Sequence, residues 1–350
     1  MVSKTFWSGK KVLVTGHTGF KGAWLSLWLK NLGADVVGYS LAPGDEKCLF
    51  NALKLSKGYF NDIRDRSAMC SVLAREKPEI IFHMAAQSLV RQSYLDPLET
   101  FSTNIMGTAT LLDCVRCSAS VSAVIVVTSD KCYENHEWIW PYRESDQLGG
   151  KDPYSASKGA CELVVSSIKK SFFEGPNGHP AKVATVRSGN VFGGGDWSED
   201  RLIPDIVRGL EIGTVDLRNP GSVRPWQHVF EPLSGYMTFA CKLVNDDSFY
   251  EPSMNFGPVE ASNVDVMQLC KYFLKHFSNV NIRASSDDAL FAEAGRLTLD
   301  SSRARNVLGW SPKMSLEEGV DITAGWYQAY KQEADMVMYS SNQISDFERL

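Results

Sequence analysis

Three observations predict an α/β fold, with a Rossmann-type doubly wound parallel sheet and a smaller, mixed α/β lobe. Short β-rich runs alternate with helical segments through the first half of the chain, a G-x-x-G-x-x-G turn follows the first of them, and after Gly189 the rhythm breaks into loops rich in Gly, Pro, Trp and Arg. The clearest strands are Lys11–Thr15, Asp35–Tyr39, Glu79–Met84, Ala123–Ser129 and Lys182–Arg187, with a weaker one at Gly58–Phe60. Helical periodicity fills the gaps at Gly22–Asn31, Ser67–Glu76, Pro97–Cys117 and Pro153–Phe173. Such alternation implies right-handed βαβ crossovers and helices on both faces of the sheet. In the second part, helices are expected at about Leu202–Leu210, Pro232–Val244, Val264–His276 and Ser315–Gln332, leaving Glu333–Leu350 as a polar, mobile tail.

At 350 residues the chain has room for about two domains of roughly 150 residues each. The expected division is interleaved: residues 1–188 with about 230–255 in the sheet domain, and 189–229 with about 256–350 in the smaller lobe. A composition of 44% hydrophobic and 22% charged residues excludes a disordered chain. No apolar run is long enough to span a bilayer and no export signal is visible, so a cytoplasmic protein is expected. A net charge of -5 offers no basic field for nucleic acid or anionic lipid. The eight cysteines are expected as reduced thiols, Cys114 and Cys117 included, and no cluster supplies a metal site.

The turn after the first strand reads Gly16-His17-Thr18-Gly19-Phe20-Lys21-Gly22 and opens a helix. Glycines at this spacing let a pyrophosphate approach the backbone amides of the helix N-terminus, so this segment is expected to bind a dinucleotide. After the second strand, Ser40 stands where an acidic residue would hold an adenosine ribose, and no Lys or Arg occurs between Gly33 and Glu46 to balance a 2′-phosphate. NAD is therefore expected, with Ser40 at the ribose. Asp62 and Ile63 follow the third strand, where Asp62 is either an adenine contact or a turn residue. Ala85, Ala86 and Gln87 end the fourth strand, where small residues let the dinucleotide pass, and Asn104 lies on the next helix. His83 reads as a core histidine.

Asp152-Pro153-Tyr154-Ser155-Ala156-Ser157-Lys158 puts Tyr154 and Lys158 one helical turn apart on one face. An ammonium beside a phenol favours the phenolate, which would make Tyr154 a base near neutral pH. With the glycine turn and the Thr128-Ser129 pair ending a strand, this constellation resembles the extended short-chain dehydrogenase/reductase superfamily. The resemblance implies a hydride-transfer site of Tyr154, Lys158 and Ser129, with Thr128 and Ser188 near the nicotinamide. It spans nearly the whole chain, including Arg303 and the segment from Leu308 to Trp326.

At Ser129-Asp130-Lys131 the sequence is similar to the sugar-nucleotide 4,6-dehydratases, whose Thr-Asp-Glu triad eliminates water; Lys131 replaces the glutamate. This variant resembles the dehydratases that act on CDP-glucose. The resemblance implies redox-neutral conversion of CDP-D-glucose to CDP-4-keto-6-deoxy-D-glucose, as in deoxysugar synthesis for lipopolysaccharide O-antigen. Asp130 would be the acid, and Lys131, with a lowered pKa, or another group would be the base. Ser88, Asn190, Arg201, Arg218 and Arg224 would hold the nucleotide sugar, although each arginine by itself also reads as a solvated surface charge. Dimerisation through the Pro97–Cys117 and Pro153–Phe173 helices is likewise implied. The alternatives are a dehydratase of another nucleotide sugar, a 4-epimerase, or a non-catalytic NAD-binding regulator.

Overall fold

The computed structural model describes residues 2–44, 47–259, 263–277, 280–285 and 296–350. Its main sheet has seven strands: β1 (Lys11–Thr15), β2 (Asp35–Ser40), β3 (Gly58–Phe60), β4 (Ile80–His83), β5 (Ala123–Val127), β6 (Lys182–Ser188) and an edge strand, Ser253–Phe256. The spatial order is Ser253–Phe256, β6, β5, β4, β1, β2, β3, and every neighbouring pair is parallel. The chain therefore reverses direction across the sheet between β1 and β4. A crevice opens there at the carboxyl ends of the strands, the place where doubly wound sheets bind ligands.

Side-chain alternation explains why these strands read as continuous apolar runs. Val12 and Val14 of β1 join a core with Trp24, Trp28 and Phe230 on one face, whereas Leu13 joins Val37, Met69 and Leu111 on the other. The same division separates Ile80 and Phe82 from Ile81, and Ile125 and Val127 from Val124 and Val126. Both faces are dry, so no polar residue marks the alternation in the sequence.

Helix Phe20–Asn31 begins at Gly19 and helix Arg66–Glu76 is capped by Asp65. The predicted Pro97–Cys117 helix runs from Pro97 to Val115 with helical backbone throughout, Pro97–Phe101 and Gly107–Val115 being joined by a π-helical turn at Ser102–Met106. Helix Pro153–Phe172 starts where expected, with the Asp152 carboxylate accepting from Ser155 N at 2.9 Å and proline in the first turn.

The second half holds more order than its sequence rhythm implies. Helices Leu202–Ile212, Phe230–Asn245, Val266–Leu274 and Leu316–Lys331 are joined by three strand pairs: Val191–Phe192 with Gln227–His228, Thr214–Arg218 with Asn281–Ser285, and Val223–Pro225 with Asn263–Asp265. These strands have two to five residues, too few for alternation to register.

Two expectations are corrected. Residues after Glu333 are not a mobile tail: Met336–Arg349 is a helix capped by Asp335, with Met336, Ile344 and Phe347 buried against the core that contains Trp28. Its inward stripe includes Ser340, which accepts from the buried Trp326 indole at 2.9 Å, and Gln343, so the stripe looks polar in sequence. The cysteines are not all thiols. Helices Arg66–Glu76 and Gly107–Val115 pack together and bring Cys70 and Cys114 within a Cα distance of 5.2 Å, where they form a disulfide. Cys117, expected to be buried, is exposed. No helix among the described residues is long and apolar enough to cross a membrane.

Candidate active site

The glycine turn caps the crevice at β1. Gly16 adopts φ +73°, and a Cβ there would stand 2.7 Å from Ala85 N; a Cβ on Gly22 would stand 2.2 Å from Gly16 O. Any side chain at these points would push the turn off β4 or out of itself. Gly19, as N-cap, lays no side chain over the first amides of helix Phe20–Asn31. The turn is thus a cradle for a diphosphate on a helix N-terminus, and these residues fit a dinucleotide.

Around the turn, the polar side chains are already engaged with one another. Ser40 Oγ lies 2.9 Å from both Thr18 Oγ1 and His17 Nδ1, and burial lowers His17 to about pH 4, so its imidazole is neutral. Asp62 pairs with the Arg64 guanidinium at 2.5 Å, which holds its carboxyl below the ordinary range despite partial burial. Ile63 is buried. Thr15 Oγ1 accepts from Met84 N and Ala85 N at 3.1 and 3.2 Å, fixing the backbone that leads to Ala86 and Gln87. The Asn104 amide is fully used, accepting from Gln87 N at 2.8 Å and donating to Gln87 O and Ser157 Oγ at 3.0 and 2.8 Å. Asn104 therefore supports the Gln87 loop. His83 is a core residue, its ring nitrogens 2.8 and 3.0 Å from Thr15 Oγ1 and Thr108 Oγ1.

A cavity of about 280 Å³ lies at the carboxyl ends of the strands, and Thr128, Ser129, Asp130, Lys131 and Tyr154 form one wall. Asp130 and Lys131 lie in a one-turn helix capped by Ser129, whose hydroxyl accepts from Lys131 N at 3.2 Å and donates to Asp130 Oδ1 at 2.9 Å. Asp130 is 3% exposed. Burial raises its pKa, only partly offset by Lys131, the Ser129 hydroxyl and Lys21. A carboxyl so placed is suited to donating a proton.

Tyr154 differs from expectation. Burial pushes its phenol up to about 12, with the Ser129 hydroxyl and Arg201 pulling the other way. Lys158 lies over the phenol ring at 6.0 Å, but its ammonium turns to donate to Val127 O at 3.3 Å. The helical spacing is as predicted; desolvation outweighs the ammonium. Lys158 itself is lowered by burial, with Cys161 and Glu162 working against the shift.

Opposite stand the charged groups from the loops. Lys21 donates to Ser188 Oγ at 2.9 Å, and Tyr236 donates to the same oxygen at 2.8 Å. Burial, with Arg201 close by, lowers Lys21 to about 7. Arg201 bridges Asp196 Oδ2 at 3.1 Å and Ser88 Oγ at 3.2 Å, while Arg218 joins Asp200 and Asp205 at 2.6 and 2.9 Å. Asn190 and the buried Arg224 complete this side. The cavity thus gathers Ser88, Lys21, Ser188, Asn190, Arg201, Arg218 and Arg224 opposite the Ser-Asp-Lys turn. Among the described residues no group of three or more His, Cys, Asp or Glu could hold a metal ion.

Sequence reasoning passed over the carboxylates Asp196, Asp200 and Asp205 that hold the arginines, and Tyr236 behind Ser188. It also missed Glu162, one turn beyond Lys158, which anchors the catalytic helix. The Tyr-x-x-x-Lys-x-x-x-Glu spacing was its available signal.

A dinucleotide cradle at the switch point of a doubly wound sheet, with Ser, Tyr, Lys and a buried Asp of raised pKa around one cavity, defines an enzyme that couples hydride transfer to acid–base chemistry. The family model for GDP-mannose 4,6 dehydratase matches residues 13–323, and the chain belongs to that family. It is 45% identical to CDP-glucose 4,6-dehydratase of Salmonella typhimurium, covering 99% of this chain and 98% of the relative. It is 26% identical to dTDP-glucose 4,6-dehydratase 1 of Escherichia coli, covering 93% and 95%. In fold it matches the crystal structure of a double mutant of DesIV, the dTDP-glucose 4,6-dehydratase of Streptomyces venezuelae, with a TM-score of 0.76 at 24% identity over 93% of this chain and 99% of that one.

Proposed function

We propose that this chain is an NAD-dependent, redox-neutral lyase that converts CDP-D-glucose to CDP-4-keto-6-deoxy-D-glucose. The observation that carries the reading is the buried Asp130, its proton favoured by desolvation, on the same cavity wall as Tyr154, Ser129 and Lys131. An epimerase, which returns hydride to the carbon it came from, needs no such acid. The 45% identity to a CDP-glucose enzyme supports the choice of substrate.

In this mechanism Tyr154, aided by Ser129 and Lys158, takes the proton of the 4-hydroxyl. NAD supplies the hydride acceptor at C4 and the hydride donor at C6. With C4 a ketone, the C5 proton is acidic; Lys131 removes it, Asp130 protonates the departing 6-hydroxyl as water, and the Lys131 ammonium gives a proton back to C5 when C6 is reduced. Holding the sugar through all steps keeps the reactive enone from escaping. Gly16, Thr18, Gly19, Phe20, Lys21 and Gly22 hold the cofactor diphosphate, Ser40, Asp62 and Ile63 its adenosine end, and Ala85, Ala86, Gln87, Thr128 and Ser188 border its path. Arg201, Arg218 and Arg224, with Ser88 and Asn190, hold the nucleotide sugar, arginine forks being suited to diphosphate.

The cofactor domain comprises residues 1–188 and about 230–255, a division supported by the pairing of Ser253–Phe256 with β6; 189–229 and about 256–350 form the sugar-nucleotide lobe. The enzyme acts in the cytoplasm, in deoxysugar synthesis for lipopolysaccharide O-antigen. It is a homodimer joined through exposed Leu98, Met106, Leu163 and Phe172 on the two long helices. Light scattering checks this: a particle of one 38.9 kDa chain mass sinks it.

Turnover compared across CDP-, dTDP-, UDP- and GDP-sugars, with NAD and with NADP, tests the reaction. The 4-keto product, read by its absorbance in alkali, is expected with CDP-glucose and NAD. Its absence there, or faster formation from another nucleotide sugar, overturns the substrate assignment.

A further inference from the structure

Glu162 lies on the same stripe of helix Pro153–Phe172 as Tyr154 and Lys158, eight and four residues on. It is 5% exposed and makes four hydrogen bonds. Oε1 accepts from Thr128 Oγ1 at 2.5 Å and Arg187 Nε at 2.8 Å; Oε2 accepts from Thr185 Oγ1 at 2.7 Å and Arg187 Nη2 at 2.8 Å. Burial alone would raise this carboxyl, but the Arg187 guanidinium and the hydroxyls hold it below the ordinary range, so Glu162 is ionised.

Each partner leads to the cavity. Thr128 directly precedes Ser129 and Asp130, and its amide donates to Val186 O at 2.9 Å, joining the ends of β5 and β6. Arg187 directly precedes Ser188 and donates a further bond of 2.7 Å to Tyr133 OH, at the far end of the turn that carries Asp130 and Lys131; Tyr133 donates on to Asn255 of the edge strand at 2.8 Å. Glu162 therefore joins the helix bearing Tyr154 and Lys158 to the strand ends bearing Ser129, Asp130 and Ser188. Its charge also bears on Lys158. That ammonium is buried, donates to Val127 O at 3.3 Å, and has the Glu162 carboxylate one turn away along the helix.

We propose that Glu162 is a positioning residue for this reaction: its fork on Arg187 and its bond to Thr128 register the catalytic helix against the Ser129–Asp130 turn, and its charge faces the Lys158 ammonium. This rests on the reading of Tyr154, Lys158 and Asp130 as the reacting groups. Groups facing Glu162 are Arg187 and Thr185 from β6, Thr128 from the end of β5, Lys158, Cys161 and Lys169 from its own helix and Cys132 from the turn. Loss of the carboxylate charge lowers the pKa of every proton-bearing group near it, so the pH dependence of turnover should move to lower pH.

The test uses the full-length enzyme with NAD. Glu162→Gln strands a buried guanidinium and is expected to lower the melting temperature sharply. The pair Glu162→Gln with Arg187→Met removes both charges at similar volume and keeps the experiment readable if the single variant does not fold. Where Glu162→Gln folds, its pH–kcat profile is expected to move down by about one unit; in the pair the lost positive charge offsets the lost negative one, so the profile is expected to stay in place while kcat falls about 100-fold with KM little changed. Glu162→Asp, which keeps the charge on a shorter arm, is expected to lose part of kcat while its profile stays in place. A folded pair that keeps the parental kcat overturns the proposal, as does a folded Glu162→Gln whose profile does not move. The parent is assayed first: inactivity on CDP-glucose speaks against the substrate assignment, and the comparison is then made on the nucleotide sugar the parent does turn over.

Discussion

Tyr154→Phe is expected to lower kcat by about 1,000-fold, within the range usual for loss of a placed general base. The substitution removes one oxygen from a buried ring and leaves the helix stripe and cavity wall intact, so the melting temperature should hardly move. No product and no reduced nicotinamide should build up, because the first proton transfer is the step lost. Burial pushes the phenol up to about 12, so at neutral pH the phenolate is the minor form. Below that pKa each rise in pH increases the fraction ready to accept a proton. The parent's kcat/KM should therefore climb from acid toward neutral pH, and the residual activity of Tyr154→Phe should lack that climb. A variant with near-parental turnover would remove Tyr154 from its role.

Lys131→Ala is expected to stop the reaction one step later, with kcat down by about 100- to 1,000-fold. Its partners Ser129, Asp130, Tyr154 and Lys158 remain, so oxidation at C4 should proceed. Elimination should not, and reduced nicotinamide should accumulate on the enzyme in the presence of CDP-glucose. Solvent deuterium should then fail to enter C5, the direct sign of a missing base. Asp130→Asn separates acid from base, because C5 exchange should survive there while water loss fails. Full turnover by Lys131→Ala would assign the C5 proton to another group, and Lys21, lowered to about 7 across the cavity, is the next candidate to replace.

Much of the fold was legible because parallel strands bury both faces and loops between them carry the breaks. β1 to β6 differ from their expected ranges by at most two residues at either end. The glycine turn was legible for a different reason. Gly19 and Gly22 are held by close approach to Gly16 within seven positions, so the spacing of the glycines shows in a short window even though Gly16 itself also packs against Ala85. Tyr154 and Lys158 share that advantage, being one helical turn apart.

What escaped depends on partners far along the chain. The C-terminal helix hides its buried stripe because Ser340 and Gln343 lie in it, and only the Trp326 indole explains a serine there. Cys70 and Cys114 are 44 residues apart and meet because two helices pack. The phenol of Tyr154 was expected to be acidified by a neighbour; desolvation, which spacing cannot express, reversed the direction. Arg201 and Arg218 were readable as cations, but their fixation by Asp196, Asp200 and Asp205 was not.

The sequence by itself determined the sheet, the glycine turn and the candidate reacting side chains, since each is encoded by local periodicity or by spacing within a turn. Only the tertiary structure decided which of those groups face one another, which carry their protons, and that Glu162 and Arg187 tie them together. The partners of Glu162 lie 23 to 34 residues away along the chain, and the energies of such burial and charge pairing depend on the solvent that the packed elements exclude.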